Sequence, residues 1–160
     1  MDEEIIDRYY DDKRILIEAL GKDAGELEFA SDKLKDDKEV VLTAVKKAGW
    51  VGCYASNRLK ADKDIVLAAV KTDGQMLYYA SRDLRADKEV VLKAVEQKPL
   101  ILKYASSELR NDLDVAKTAL TSAKEKYHGP EEHYIQDVYD FLEPEIKQNE
   151  QILNIIKEDE

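Results

Sequence analysis

Aspartate returns every 25 residues along this chain, at Asp12, Asp37, Asp62, Asp87 and Asp112. Counting each Asp as position one brings many other columns into register. Position two is Lys13, Lys38, Lys63 and Lys88, and position eight is always Ala, from Ala19 through Ala44, Ala69 and Ala94 to Ala119. Position eighteen is Phe29, Tyr54, Tyr79 and Tyr104. Ala-Ser follows each time, ending at Ser31, Ser56, Ser81 and Ser106. Position twenty-three is Leu34, Leu59, Leu84 and Leu109; position twenty-four is Lys35, Lys60, Arg85 and Arg110. Such a period marks a stacked repeat, in which no unit can bury its own apolar face and each leans on its neighbours.

Each unit reads as two helical segments. The repeating Asp suits an N-cap, where its carboxylate accepts from the first free backbone N–H groups. Apolar residues then fall at positions four, five, eight and nine, as in Val40, Val41, Ala44 and Val45. That spacing is helical, and the two-residue alternation of a strand is absent despite the β-branched pairs. Gly25, Gly49, Gly74 and Pro99 stand near the expected end of this helix. A second segment carries Leu27, Leu77 and Leu102, then the aromatic. The repeating Ser is placed to cap a last short turn that holds the repeating Leu.

The predicted fold is all-α: a short α-solenoid of about four and a half 25-residue units with N- and C-terminal capping helices. The units are 12–36, 37–61, 62–86, 87–111 and the half repeat 112–123. An N-terminal capping helix is predicted over 1–11 and acidic capping helices over 124–160, divided from the array by Tyr127-His128-Gly129-Pro130. The last unit supports a stack that ends there. Position six is Ile17, Leu42, Leu67 and Leu92 but becomes Lys117, while position two changes from Lys to Leu113. A unit with a different neighbour changes in this way.

Asp87-Lys88-Glu89-Val90-Val91-Leu92-Lys93-Ala94-Val95 and Tyr104-Ala105-Ser106-Ser107-Glu108-Leu109-Arg110 carry a resemblance to the repeat family called domain of unknown function 4116. The resemblance covers about residues 12–123. It implies helical repeats and carries no assigned activity over to any residue. Members of that family include some secreted bacterial effectors, which sets export to a host cytosol beside a cytoplasmic location. The alternation of helix and shorter helical turn is also similar in architecture to variant leucine-rich repeats.

Charge and chemistry narrow the function. The net charge of −10 is unevenly placed. Five acids and one base fall in residues 1–11, and 11 acids and four bases in 124–160. The 19 acids and 20 bases of residues 12–123 nearly balance. Acidic flanks repel nucleic acid and anionic membranes. No apolar run approaches the ~20 residues that span a bilayer. The single Cys53 forms no internal disulfide, in keeping with a reducing compartment.

No catalytic constellation is visible, so the chain reads as non-enzymatic, with no cofactor and no metal. His128 and His133 are five apart across Gly129-Pro130, not the four of a helical metal pair, and read as loop and cap residues. The five position-one Asp residues read as structural caps. Two basic stripes, Lys13-Lys38-Lys63-Lys88 and Lys35-Lys60-Arg85-Arg110, raise nucleic-acid binding as the alternative function. Acids beside the first stripe (Glu39, Asp64, Glu89) favour neutralisation between units instead.

The once-per-unit aromatics Phe29, Tyr54, Tyr79 and Tyr104 are expected to form a core spine. Trp50 and Tyr78 differ, because their columns also hold Gly25, Gln75 and Leu100, and Glu28, Cys53 and Lys103. Columns that vary are free of the shared core. A protein–protein interaction module is therefore expected, with its partner bound along Trp50, Cys53, Gln75, Tyr78 and Lys103.

Overall fold

A computed structural model describes residues 10–127 and 133–157 of the chain. The N-terminal cap expected over 1–11 lies outside the described residues except for Tyr10 and Asp11, and His128 lies outside them too. The described residues contain no strand, and consecutive helices pack on one another in order. The chain is an all-α repeat solenoid.

The unit helices are α1 (Lys13–Lys22), α2 (Lys38–Lys47), α3 (Lys63–Val70), α4 (Lys88–Gln97) and α5 (Leu113–Lys126). Every one is capped by its position-one Asp, whose Oδ1 accepts from the N–H two residues on at 2.9–3.0 Å. The same oxygen also accepts from the N–H three residues on at 3.1–3.4 Å. Such a cap is worth about 1 kcal/mol per helix.

Each of the first four helices is followed by a 3₁₀ helix: Ala24–Glu28, Gly49–Tyr54, Gly74–Tyr79 and Pro99–Tyr104. A short helical turn then closes the unit. There Ser31, Ser56, Ser81 and Ser106 accept through Oγ from the N–H of Leu34, Leu59, Leu84 and Leu109, at 3.4, 3.2, 3.3 and 3.3 Å.

The core is repetitive. Val40, Val41, Ala44 and Val45 are fully buried, as are their equivalents in α3 and α4. Burying one such Val contributes ~1.5–3 kcal/mol, so these columns outweigh any surface interaction in the stack. Three-residue spacing governs the 3₁₀ helices, because side chains three apart eclipse there. Positions thirteen, sixteen and nineteen face inward, as in Gly74, Leu77 and Ala80, and position fifteen joins them as Val51, Met76 and Ile101. Gly52 occupies the Leu position in the second unit, and Met76 of the next unit fills that space: a Cβ on Gly52 would lie 2.8 Å from Met76 Sδ.

One backbone bond joins each pair of layers. The N–H groups of Ser31, Ser56, Ser81 and Ser106 donate to the carbonyls of Tyr10, Lys35, Lys60 and Arg85, at 3.0, 2.9, 3.0 and 2.9 Å. Glu143 N–H continues the series by donating to Arg110 O at 3.4 Å. The C-terminal helices α6 (His133–Asp140), α7 (Pro144–Lys147) and α8 (Glu150–Lys157) follow, with α6 and α8 packed on α5. They bury Val138, Leu142, Ile146 and Ile152. Lys117, the charged residue at an otherwise apolar column, donates there to Gln151 Oε1 at 2.9 Å.

Glycine marks the closest approach of neighbouring units. No described residue has positive φ, so Gly49 and Gly74 serve space rather than a turn. A Cβ on Gly49 would sit 2.1 Å from Ala69 O, and one on Gly74 would sit 2.4 Å from Ala94 O. Gly49→Ala is expected to destabilise by about 1–3 kcal/mol, as overpacking does. Gly21→Ala, with nothing within 4 Å of its Cβ, should be neutral or stabilising by up to about 1 kcal/mol. Urea unfolding followed by circular dichroism checks both; equal stability of the two variants contradicts the close approach.

Candidate functional site

The outward face of the 3₁₀ helices gathers the exposed aromatics. With positions thirteen, sixteen and nineteen turned inward, fourteen and seventeen eclipse each other on the outside. Position eighteen joins them at the helix end. Phe29, Trp50, Tyr78 and Tyr79 are the large apolar side chains left exposed among the described residues, and all four belong to these columns. Successive 3₁₀ helices pack against one another, so the columns form one continuous face.

The aromatic column expected in the core is therefore largely on the surface. Phe29 is 60% and Tyr79 43% exposed, while Tyr54 and Tyr104 are half-buried. Recurrence in every unit placed them inward; in the structure the buried seats on either side belong to Leu at sixteen and Ala at nineteen.

The five residues expected to bind a partner all lie on this face. Trp50 stands edge-on to Tyr54 with ring centroids 6.1 Å apart. It also reaches back over the first unit, where a Cβ on Gly25 would be 3.7 Å from its ring. Tyr78 meets Tyr79 edge-on at 4.9 Å and Tyr104 of the next unit at 4.8 Å. Lys103 places its ammonium 5.0 Å from the Tyr104 ring centroid, a cation–π distance. Gln75 is exposed and accepts from Lys98 Nζ at 2.7 Å.

Cys53 is half-buried. Burial pushes its thiol pKa up, with a weaker opposing pull from Lys60, so the thiolate is disfavoured. Residues outside the original five complete the ridge. Tyr10 packs on Phe29 at 5.7 Å and donates to Glu26 Oε2 at 3.0 Å. A hydrogen bond with Glu28 holds the Tyr54 hydroxyl pKa above its ordinary value.

The first basic stripe is spent on holding units together. Lys13, Lys38, Lys63 and Lys88 each lie 2.8 Å from the next unit's capping Asp. Each also lies 2.7–2.9 Å from that unit's third-position acid. The hydrogen bonds that these ammonium groups donate to those two acids raise every one of the lysine pKa values. At Asp87, burial pushes the carboxyl up, but Lys63 and the capped N–H groups together outweigh it and leave the pKa lowered. Nothing in this arrangement favours nucleic-acid binding along the stripe. Among the described residues no three His, Cys, Asp or Glu gather to hold a metal ion, and no helix is long and apolar enough to cross a membrane.

A family model described as Domain of unknown function (DUF4116) matches three times, at residues 12–57, 53–85 and 87–125. The chain belongs to this family. The DUF4116 matches cover the Asp-capped helices, the 3₁₀ helices and the Ser-capped turns described above. None of the curated proteins and none of the solved structures compared with the chain matches it.

The charge ladder makes a pH prediction. Asp87 has a lowered pKa in the fold, so its contribution is present above the ordinary value of 3.8 and is lost as pH falls through the folded-state value. Lys63 has a raised pKa, so its contribution is present below 10.5 and lost as pH rises through the folded-state value. The urea-midpoint difference between wild type and Lys63→Met should be small, flat from about pH 5 to about pH 9, and should shrink toward both extremes. A difference that does not shrink as pH is taken down below 3.8 contradicts the assignment.

Proposed function

We propose that the chain is a non-enzymatic protein–protein interaction module whose partner docks on the outward face of the 3₁₀ helices. One observation carries this reading: the exposed large apolar side chains collect on a single face, although the repeat supplies buried seats for apolar residues everywhere else. A contiguous exposed apolar patch is the mark of a contact surface, and Trp and Tyr are the residues most enriched among binding hot spots.

The division of labour within the unit supports it. Columns that hold the stack together barely change, whereas positions fourteen and seventeen run Gly25, Trp50, Gln75, Leu100 and Glu28, Cys53, Tyr78, Lys103. Variation from layer to layer along a fixed scaffold gives a partner a distinct sequence of contacts to read. Trp50 and Tyr78 are the expected anchors, with Gln75 and Lys103 supplying polar specificity and Cys53 a small surface between the rings.

The test is a pull-down from the source organism with wild type and the double variant Trp50→Ala, Tyr78→Ala. Because both rings are about half-exposed, the variant should keep its circular-dichroism spectrum. Partner capture should weaken at least about tenfold, the effect of losing hot-spot residues. Undiminished capture by a folded double variant contradicts this face as the docking site.

A further inference from the structure

The two varying columns of the 3₁₀ ridge are complementary to their own reversal. Position seventeen runs Glu28, Cys53, Tyr78 and Lys103 from the first unit to the fourth. It begins on an acid and ends on a base, with a small and a large uncharged side chain between them. Laid antiparallel beside itself, this column sets Glu28 against Lys103 and Cys53 against Tyr78. Position fourteen behaves alike, setting Gly25 against Leu100 and Trp50 against Gln75. Neither column then opposes two like charges or two aromatic rings.

Both charged ends are open to a partner. Glu28 and Lys103 are exposed. Within one copy Glu28 meets the Tyr54 hydroxyl and Lys103 lies over the Tyr104 ring; among the described residues neither is in an ion pair. The lysines at position two, by contrast, each hold two acids, as Lys63 holds Asp87 and Glu89. Charge on the whole ridge follows the same order. Each 3₁₀ helix with its N-cap carries, in turn, Asp23, Glu26 and Glu28; no charge; Asp73; and Lys98 and Lys103.

A two-fold interface requires this arrangement, because residue i meets j wherever j meets i. We infer that the partner on the aromatic face is a second copy of this chain, docked antiparallel with the two-fold axis between the second and third units. This rests on the interaction reading above and names its partner. Trp50 and Tyr78, on the two inner units, lie nearest the axis, and two Glu28–Lys103 pairs close the ends. The exposed parts of Phe29, Trp50, Tyr78 and Tyr79 offer about 400 Å² of ring surface, at ~150–250 Å² for a whole aromatic side chain. The rim of Glu28, Gln75, Leu100 and Lys103 brings this toward the ~800 Å² that each copy gives to a stable pair. An apolar centre inside a polar rim is the anatomy of such an interface.

Charge reversal at the two ends tests the pairing. The readout is sedimentation equilibrium of the full chain at physiological ionic strength, where exposed charges act over only about 8 Å. Wild type should dimerise with a dissociation constant in the micromolar range. Glu28→Lys and Lys103→Glu each place like charges at both ends of their own dimer, so each alone should weaken it at least about tenfold. Mixed in equal amounts, the two variants match each other at both ends. The mixture should therefore form a heterodimer within about threefold of the wild-type affinity. Both residues are exposed, so the variants should keep the wild-type circular-dichroism spectrum. A wild type still monomeric at about 500 μM, single variants that dimerise as well as wild type, or a mixture no tighter than the single variants overturns the second copy as partner. A dimer that persists in Trp50→Ala, Tyr78→Ala overturns it too, since the copies would then meet elsewhere. A monomeric chain that still captures another protein, and loses it with Trp50→Ala, Tyr78→Ala, would sink the dimer and leave the aromatic face standing as the contact surface.

Discussion

Each unit helix of this protein is apolar on a face that it cannot shield alone, and the neighbouring unit removes that face from water. The position-four, -five, -eight and -nine side chains of α2, α3 and α4 are wholly buried. Their burial dominates the energetics, because partly exposed ion pairs contribute little by comparison. What the polar columns add is register. The position-one Asp works with both carboxylate oxygens: Oδ1 caps its own helix, and Oδ2 receives the lysine of the preceding unit, as with Lys63 on Asp87. One side chain thus fixes where a helix starts and where it sits against its neighbour.

The two ends show the same requirement from the opposite side. A lysine at position two is useful only when another capping Asp follows. After Asp112 none does, and Leu113 takes the place of lysine and packs on the core. Glu143 meets the last open carbonyl and the last arginine of the array together. The stack is closed by residues that imitate the next repeat in hydrogen bonding though not in sequence.

Because the interior is fixed by a few columns, the outside is left free, and the 3₁₀ helices present it. Their three-residue winding puts positions fourteen and seventeen one above the other. Trp50 above Gly25 and Tyr78 against Tyr104 then bridge layers, which ties the exposed ridge to the same stacking that builds the core.

Much of this was legible in the residues alone. The Asp caps, the Ser-capped turns, the 4-5-8-9 face and the altered last unit all follow from local rules that act within one or two units. The outward position of Trp50 and Tyr78 was readable from column variation. The exposure of Phe29 and Tyr79 was not, because a side chain that recurs in every unit can serve an outer ridge as well as the core. The closure of Arg110 was hidden as well, since it turns on Glu143, 33 residues away.

The account rests on layers docked in register, and the inter-layer N–H groups of Ser56, Ser81 and Ser106 report on it directly. Each donates to the preceding unit rather than to its own. Native-state hydrogen exchange should show them protected as strongly as the middle amides of α3, because they open only when units part. Exchange at free-chain rates while the helices stay protected would mean that the units form without leaning on one another, and would contradict the stack.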